Sequence, residues 1–151
     1  WYNVAVGLDF ERSSIGATSN SRRLVDDLIR YLRETKPRIE NAVKHRLIDE
    51  AIGVSLLRNM AYYIASQQEK TGIAPTREAQ MAKLFGAELQ QRIAATALQI
   101  FGMEGQAPRA GSKATPYQYT LLRSVANTIE GGTSEIQRSV IATRGLGLPR
   151  E

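Results

Sequence analysis

The sequence predicts an all-α domain, an up-and-down four-helix bundle with short extra C-terminal helices. Strand-like alternation of apolar and polar residues is absent over any useful length. Proline and glycine cluster at three places, 35–37, 71–75 and 103–116, and the segments between the clusters are far longer than an average helix. Three long antiparallel helices with short connections, followed by a fourth, split element, make such a bundle.

The three long helices are predicted from about Val4 to Glu34, Arg38 to Lys70 and Thr76 to Phe101. Thr76 is the predicted N-cap of the third, with Glu78 placed to favour the helix dipole. On the second and third helices apolar residues repeat at intervals of three and four, which is typical of a face buried in a core. The expected core positions are Ile48, Ile52, Leu56 and Tyr63 on the second helix and Met81, Leu84, Phe85, Leu89, Ile93, Ala97 and Ile100 on the third.

Two shorter helices are predicted after the third, from about Pro116 to Asn127 and from Glu135 to Thr143. Glycines and a proline just beyond the last helix, at 145–149, are expected to end it. The connection from Gly102 to Thr115 is long for a bundle. We therefore expect it to be either functional or mobile.

A pair of glycines, Gly131 and Gly132, precedes the last helix. Glycine allows positive φ and close approach of a ligand to the backbone. Ser134 followed three residues later by Gln137 matches a capping box, which would begin a helix there. The free N–H groups at such a helix start suit a phosphate, a carbonyl oxygen or a flavin oxygen. The alternative interpretation is an ordinary connecting turn with a good cap.

The composition excludes several kinds of site. The chain of 151 residues has no cysteine and one histidine, so disulfides, a thiolate or histidine metal cluster and a Ser-His-Asp triad are not expected. His45 lies in a basic, surface-like run. The net charge of +5 is not concentrated in one patch, so we expect attraction to coenzyme phosphates rather than nucleic-acid binding. No run of about 18 apolar residues is present to span a membrane.

Three blocks of the sequence closely resemble the C-terminal domain of acyl-CoA dehydrogenases. The first is the run Ile129-Glu130-Gly131-Gly132-Thr133-Ser134-Glu135-Ile136-Gln137-Arg138 with the glycine-rich end at 141–149. The second, at 98–105, is similar to the family's Gln-x-Phe/Leu-Gly-x-x-Gly segment. The third, Leu8-Asp9-Phe10-Glu11-Arg12, resembles the segment that opens the family's first bundle helix. The resemblance implies that the family's N-terminal helical and middle β domains are absent from this chain, which begins at Trp1 in what reads as ordered structure.

The resemblance implies FAD, an acyl-CoA thioester substrate, and a carboxylate that removes the α-proton. Most of the family has that glutamate where this chain has Gly131. A minority has it at the start of the first bundle helix, which is matched here by Glu11; Glu130, one position early in the turn, is the alternative. The Gly131 N–H is expected to donate to the thioester carbonyl. Asp9, Arg12, Gly131 and Gly132 are the expected substrate contacts.

Thr133 and Glu135 occupy positions that contact the cofactor in the family, and Gln99 with Gly102 resembles the segment that reaches the FAD of a neighbouring subunit. Helix capping and helix-end packing are the structural alternatives for these residues. The family's Arg-x-x-Phe-Gly after the first helix is missing. Lys36 and Arg38 are the candidates to replace its arginine.

Three hypotheses follow. In the first, the chain is part of an FAD-dependent acyl-CoA dehydrogenase that uses Glu11. In the second, it is part of a structural subunit that completes a partner's flavin site through Gln99 and 102–105. In the third, it is an unrelated basic helical binding module. The resemblance implies a homo- or hetero-tetramer, the latter as in heteromeric bacterial enzymes, and an electron-transfer flavoprotein or similar acceptor. The expected location is the bacterial cytoplasm, with the mitochondrial matrix as the alternative.

Overall fold

The computed structural model describes residues 15–73 and 75–149, and all the regular structure in these ranges is helical. The helices are α1 (Ile15–Thr35), α2 (Asn41–Thr71), α3 (Thr76–Phe101), α4 (Met103–Gln106), α5 (Thr115–Asn127) and α6 (Ser134–Val140), followed by a π-helical turn (Ile141–Gly145). The predicted all-α bundle is confirmed. The part of the first predicted helix before Ile15 lies outside the described residues.

Helix α3 is the centre of the bundle, because it packs against α1, α2, α5 and α6. Its buried face contributes Leu89, Ile93 and Ala97 to the core, as predicted. Phe85 and Ile100 are partly buried against the core, and Leu84 is partly buried. Met81 is exposed, and its predicted core position is wrong. Alanine and glycine on this face let the neighbouring helices approach closely.

The predicted buried face of α2 is wrong. Ile48, Ile52, Leu56 and Tyr63 are 55%, 62%, 49% and 51% exposed. The face that packs on the core instead contains Val43, Leu47, Val54, Leu57, Ala61 and Ile64. Helix α2 therefore has two apolar faces, and only one of them is covered within the described part of the chain.

Helix ends follow the proline and glycine signals, with three corrections. Helix α2 begins at Asn41, because Glu40 before it is extended with ψ 149°. It ends at Thr71, and its C-cap is Gly72, whose φ of 68° is left-handed. Helix α3 has the predicted bounds, but Pro75 rather than Thr76 is its N-cap. The last α-helix begins one residue early, at Ser134, and ends in the π-helical turn.

The long connection between α3 and α5 is folded against the bundle. It contains the unpredicted helix α4, in which Gly105 packs on α3; a Cβ on Gly105 would lie 2.7 Å from the Leu98 carbonyl oxygen. The Tyr117 hydroxyl of α5 donates to the Leu24 carbonyl of α1 at 2.8 Å. The first contact holds the connection against the end of α3, and the second joins α5 to α1.

Candidate functional site

The turn between α5 and α6 has the geometry that its two glycines predict. Gly131 has φ 64° and Gly132 has φ 105°, both in the left-handed half of conformational space. Among the residues that the structure describes, the atom that a Cβ added at Gly131 would meet is Lys83 Cε, at 4.0 Å. A Cβ added at Gly132 would lie 2.6 Å from Gln137 Nε2. At position 132, therefore, both the positive φ and the packing against Gln137 exclude a side chain.

Gln137 of α6 is fully buried beneath this turn. Its Nε2 donates to the carbonyl oxygens of Gly131 at 3.0 Å and Gly132 at 3.3 Å. Lys83 Nζ of α3 donates to the same Gly132 oxygen. The predicted capping box is wrong, because Gln137 binds carbonyls rather than the N–H of a Ser134 cap. Sequence reasoning missed this role of Gln137 and did not single out Lys83, which lies 49 residues from Gly132 along the chain.

Thr133, one of the predicted flavin contacts, is the N-cap of α6. Its Oγ1 accepts from the Ile136 N–H at 3.3 Å. Glu135, the other contact, is exposed in the first turn of the helix. Its own N–H and the Thr133 hydroxyl lower the pKa of the Glu135 carboxyl. Both residues thus lie at the turn, next to Gly131 and Gly132.

Glu130, the alternative base, lies on the surface beside Arg123. Arg123 Nη2 donates to both carboxylate oxygens of Glu130, at 2.7 Å and 2.8 Å. The Glu130 side chain is 55% exposed. The primary candidate Glu11 and its neighbours Asp9 and Arg12 lie outside the described residues.

The second predicted flavin segment is at the far end of α3. Gln99 is exposed and its Oε1 accepts from Arg46 Nη2 of α2 at 2.6 Å. Gly102 ends the helix with φ 58°, and a Cβ there would meet nothing within 4 Å. Lys83 and Gln99 are 16 residues apart on one helix, a separation of about 24 Å. The structure therefore does not bring the two predicted cofactor segments together within one chain.

Lys36 and Arg38, the candidates for the missing family arginine, follow α1 and are both exposed. Lys36 has φ 46°, and its N–H donates to the Leu32 carbonyl at 3.0 Å.

Within residues 15–73 and 75–149, acidic, histidine and cysteine side chains do not form a group of three or more that could hold a metal ion. Over the same residues, every helix is too short or too polar to cross a membrane.

Comparison with known proteins identifies the family. The model of the acyl-CoA dehydrogenase C-terminal domain matches residues 1–146. The chain belongs to this family. Acyl-CoA dehydrogenase IpdE1 of Mycobacterium tuberculosis (strain ATCC 25618 / H37Rv) is 30% identical over 153 residues, which cover 100% of this chain and 39% of that protein. The chain thus spans about two fifths of the length of this relative.

Two solved structures share the fold. The Tcur3481-Tcur3483 steroid ACAD matches with a TM-score of 0.80 and 23% identity over 95% of this chain and 38% of that one. The ChsE4-ChsE5 complex from Mycobacterium tuberculosis matches with a TM-score of 0.76 and 21% identity over 89% of this chain and 37% of that one. Both likenesses extend over most of the helical bundle.

Proposed function

We propose that this chain is the C-terminal domain of an FAD-dependent enzyme that dehydrogenates an acyl-CoA thioester between its α and β carbons. Membership of the acyl-CoA dehydrogenase family supports this proposal. The remaining part of the enzyme, comprising an N-terminal helical domain and a middle β domain, would form the other wall of the site. The observation on which the proposal depends most is the twin-glycine turn, Gly131 and Gly132, held in a left-handed conformation beside the Thr133 cap.

The residues present fit a flavin. Within the described residues, a Cβ at Gly102 would meet nothing within 4 Å, and one at Gly131 would meet only Lys83 Cε, at 4.0 Å. A planar ring or a sugar could approach the backbone at either glycine. Bound FAD would accept the hydride that leaves the β-carbon of the substrate. Thr133 and Glu135 would hold the cofactor of this chain, while Gln99 and Gly102 would contact the cofactor of a neighbouring subunit.

The turn would bind the thioester carbonyl through backbone N–H groups, that of Gly131 among them. An α-C–H is a weak acid, and donors on the carbonyl oxygen stabilise the negative charge that develops as the proton leaves. Because Gly131 has no side chain, the base must come from elsewhere. We propose Glu11, with Asp9 and Arg12 beside the substrate. A desolvated carboxylate has a raised pKa and is a stronger base.

Partners follow from the same proposal. Lys83, which contacts the twin-glycine turn, and Gln99 lie about 24 Å apart along α3. This separation supports contact with two different flavins and hence an assembly of several subunits. A homo- or hetero-tetramer meets this requirement, and one structural neighbour is described as a complex of two named components. An electron-transfer flavoprotein or similar acceptor would reoxidise the flavin, and the cytoplasm of a bacterium is the proposed location.

Two matched variants of the full-length enzyme test the base. Glu11→Gln should lower the rate of flavin bleaching by an acyl-CoA under anaerobic conditions by roughly a hundredfold or more, because general-base catalysis contributes about that factor. Glu130→Gln should bleach at nearly the wild-type rate, since Arg123 already holds the Glu130 carboxylate at the surface. The reverse ranking would exclude Glu11.

The second candidate function is a non-catalytic subunit that completes a partner's FAD site. The exposed Gln99 and the open space at Gly102 favour it. The content of flavin per subunit in the purified complex separates the two functions. One flavin for each copy of this chain supports catalysis here, whereas flavin only with the partner supports the structural role.

A further inference from the structure

We propose that Gln137 and Lys83 are positioning residues for the dehydrogenation. Their hydrogen bonds orient two peptide groups of the twin-glycine turn so that the backbone N–H groups point toward the bound ligand. This inference rests on the proposed function. It concerns two side chains that do not themselves face the substrate. Their effect passes through the peptide groups of Gly131 and Gly132.

The hydrogen bonds of Gln137 fix the direction of two carbonyls. Gln137 is buried, and its Nε2 donates to the Gly131 and Gly132 oxygens at 3.0 Å and 3.3 Å. Both carbonyls therefore point into the protein. Lys83 Nζ holds the second carbonyl from the side of α3. Each of the two peptide planes thus has a donor that sets its orientation.

The opposite edges of these peptides face away from Gln137. In a planar trans peptide the N–H points opposite to the C=O that precedes it. Inward carbonyls at Gly131 and Gly132 therefore direct the N–H groups of Gly132 and Thr133 away from the buried amide. Within the described parts of the chain, no group accepts a hydrogen bond from either N–H. These two donors are available to a carbonyl oxygen or another acceptor on the ligand.

Packing alone does not account for a glutamine at position 137. Its Oε1 is buried and receives no hydrogen bond from any described residue, and a buried polar atom without a hydrogen bond is destabilising. A methionine of similar length would avoid that cost. The glutamine also prevents any side chain at 132, because a Cβ there would meet Nε2 at 2.6 Å. A side chain chosen only for packing would not leave a buried oxygen without a hydrogen bond.

Four variants of the full-length enzyme test the inference, with octanoyl-CoA and cyclohexylacetyl-CoA as probes. Gln137→Met removes both hydrogen bonds at nearly constant length, and Lys83→Met removes the third. Gly132→Ala places a methyl group against the amide. Gln90→Met is the control, because Gln90 is also a buried glutamine but its hydrogen bonds go to Asn127 and Ser21 rather than to Gly131 or Gly132.

The decisive measurement is exchange of the α-protons of the probe in heavy water without an electron acceptor, because it reports proton removal before hydride transfer. Gln137→Met should lower this exchange and kcat together by roughly tenfold to a hundredfold, the usual effect of misplaced donors. Its KM, flavin content and Tm should stay close to wild type. Lys83→Met should lower exchange about tenfold, Gly132→Ala at least as much as Gln137→Met, and Gln90→Met should not change it.

A Gln137→Met enzyme that exchanges α-protons at the wild-type rate overturns the inference alone. If that variant does not fold, Lys83→Met decides, since its side chain is only partly buried, and wild-type exchange by it overturns the inference. A wild-type enzyme that neither exchanges protons nor bleaches its flavin with either probe overturns the proposed function, and the inference with it.

Discussion

Glu50 of α2 is only 3% exposed, although it is an acid. Its Oε1 accepts from the Thr96 hydroxyl of α3 at 2.7 Å, and no described residue donates to its Oε2. Burial raises the pKa of Glu50 above its ordinary value, while the Thr96 hydroxyl and the charges of Arg92 and Arg46 oppose the rise. Burial between the two helices thus makes the Glu50 carboxyl a weaker acid than an exposed glutamate.

The free energy of unfolding should fall as the pH rises above about 4.5, the ordinary glutamate pKa. In this window the unfolded chain loses the Glu50 proton more readily than the folded chain, so a rising pH favours unfolding up to the folded pKa. Glu50→Gln removes this slope, so the variant should gain stability relative to the wild type between pH 4.5 and pH 8. Urea unfolding at a series of pH values measures both effects.

Glu69→Gln is the control for Glu50, because Glu69 is exposed on the same helix. Its pH profile should match that of the wild type. A Glu50→Gln profile parallel to the wild-type profile between pH 4.5 and 8 would contradict the assignment of the slope to Glu50.

At the scale of the element, the start of α6 depends on one side chain. Thr133 caps the helix through the Ile136 N–H, and its hydroxyl also contacts the Glu135 carboxylate. Thr133→Ala should destabilise this helix by about 1 kcal/mol, with faster amide exchange at Ile136. Thr133→Ser keeps the hydroxyl and should restore both values. Hydrogen-exchange mass spectrometry of the two variants measures the difference, and equal exchange would show that Thr133 is not the effective cap.

The sequence predicted the helices better than the faces they bury. Proline and glycine end helices for local reasons, so the bounds of α3 and the end of α2 could be located from the chain alone. Helix α2, however, has apolar residues on two faces, and periodicity does not show which one a single domain covers. Its stripe at Ile48, Ile52 and Leu56 is on the exposed face.

At the candidate site, too, the local conformation could be predicted from the sequence, whereas the long-range contacts could not. Positive φ at Gly131 and Gly132 could be predicted, because few other residues adopt it in a turn. The contact between Lys83 and the Gly132 carbonyl joins residues 49 positions apart, and no local pattern encodes such a pair. Gln137 fitted a capping box, and its burial under the turn depends on the packing of α6 against α3.

For the whole molecule, the exposed stripe of α2 indicates where another subunit of the proposed assembly would pack. Ile48, Ile52, Leu56 and Tyr63 are about half exposed or more and extend over about 22 Å of helix. A contiguous apolar surface of this kind is typical of a protein interface. The other face of α2 already packs in the core of the bundle. The exposed stripe therefore supports a second subunit that covers the outer face of α2.

Ile52→Glu in the full-length enzyme should weaken assembly at least about a hundredfold, roughly 3 kcal/mol, because an unpaired charge would be buried in the interface. Light scattering after size exclusion should show a lower mass with unchanged helical circular dichroism. Ile73→Glu is the matched control, since Ile73 is 71% exposed but lies beyond the stripe; its mass should not change. Leu57→Glu, on the buried face, should unfold the bundle instead. If Ile52→Glu leaves the mass at the wild-type value, the subunit contact must lie elsewhere, and the second apolar face of α2 would be a surface without a partner.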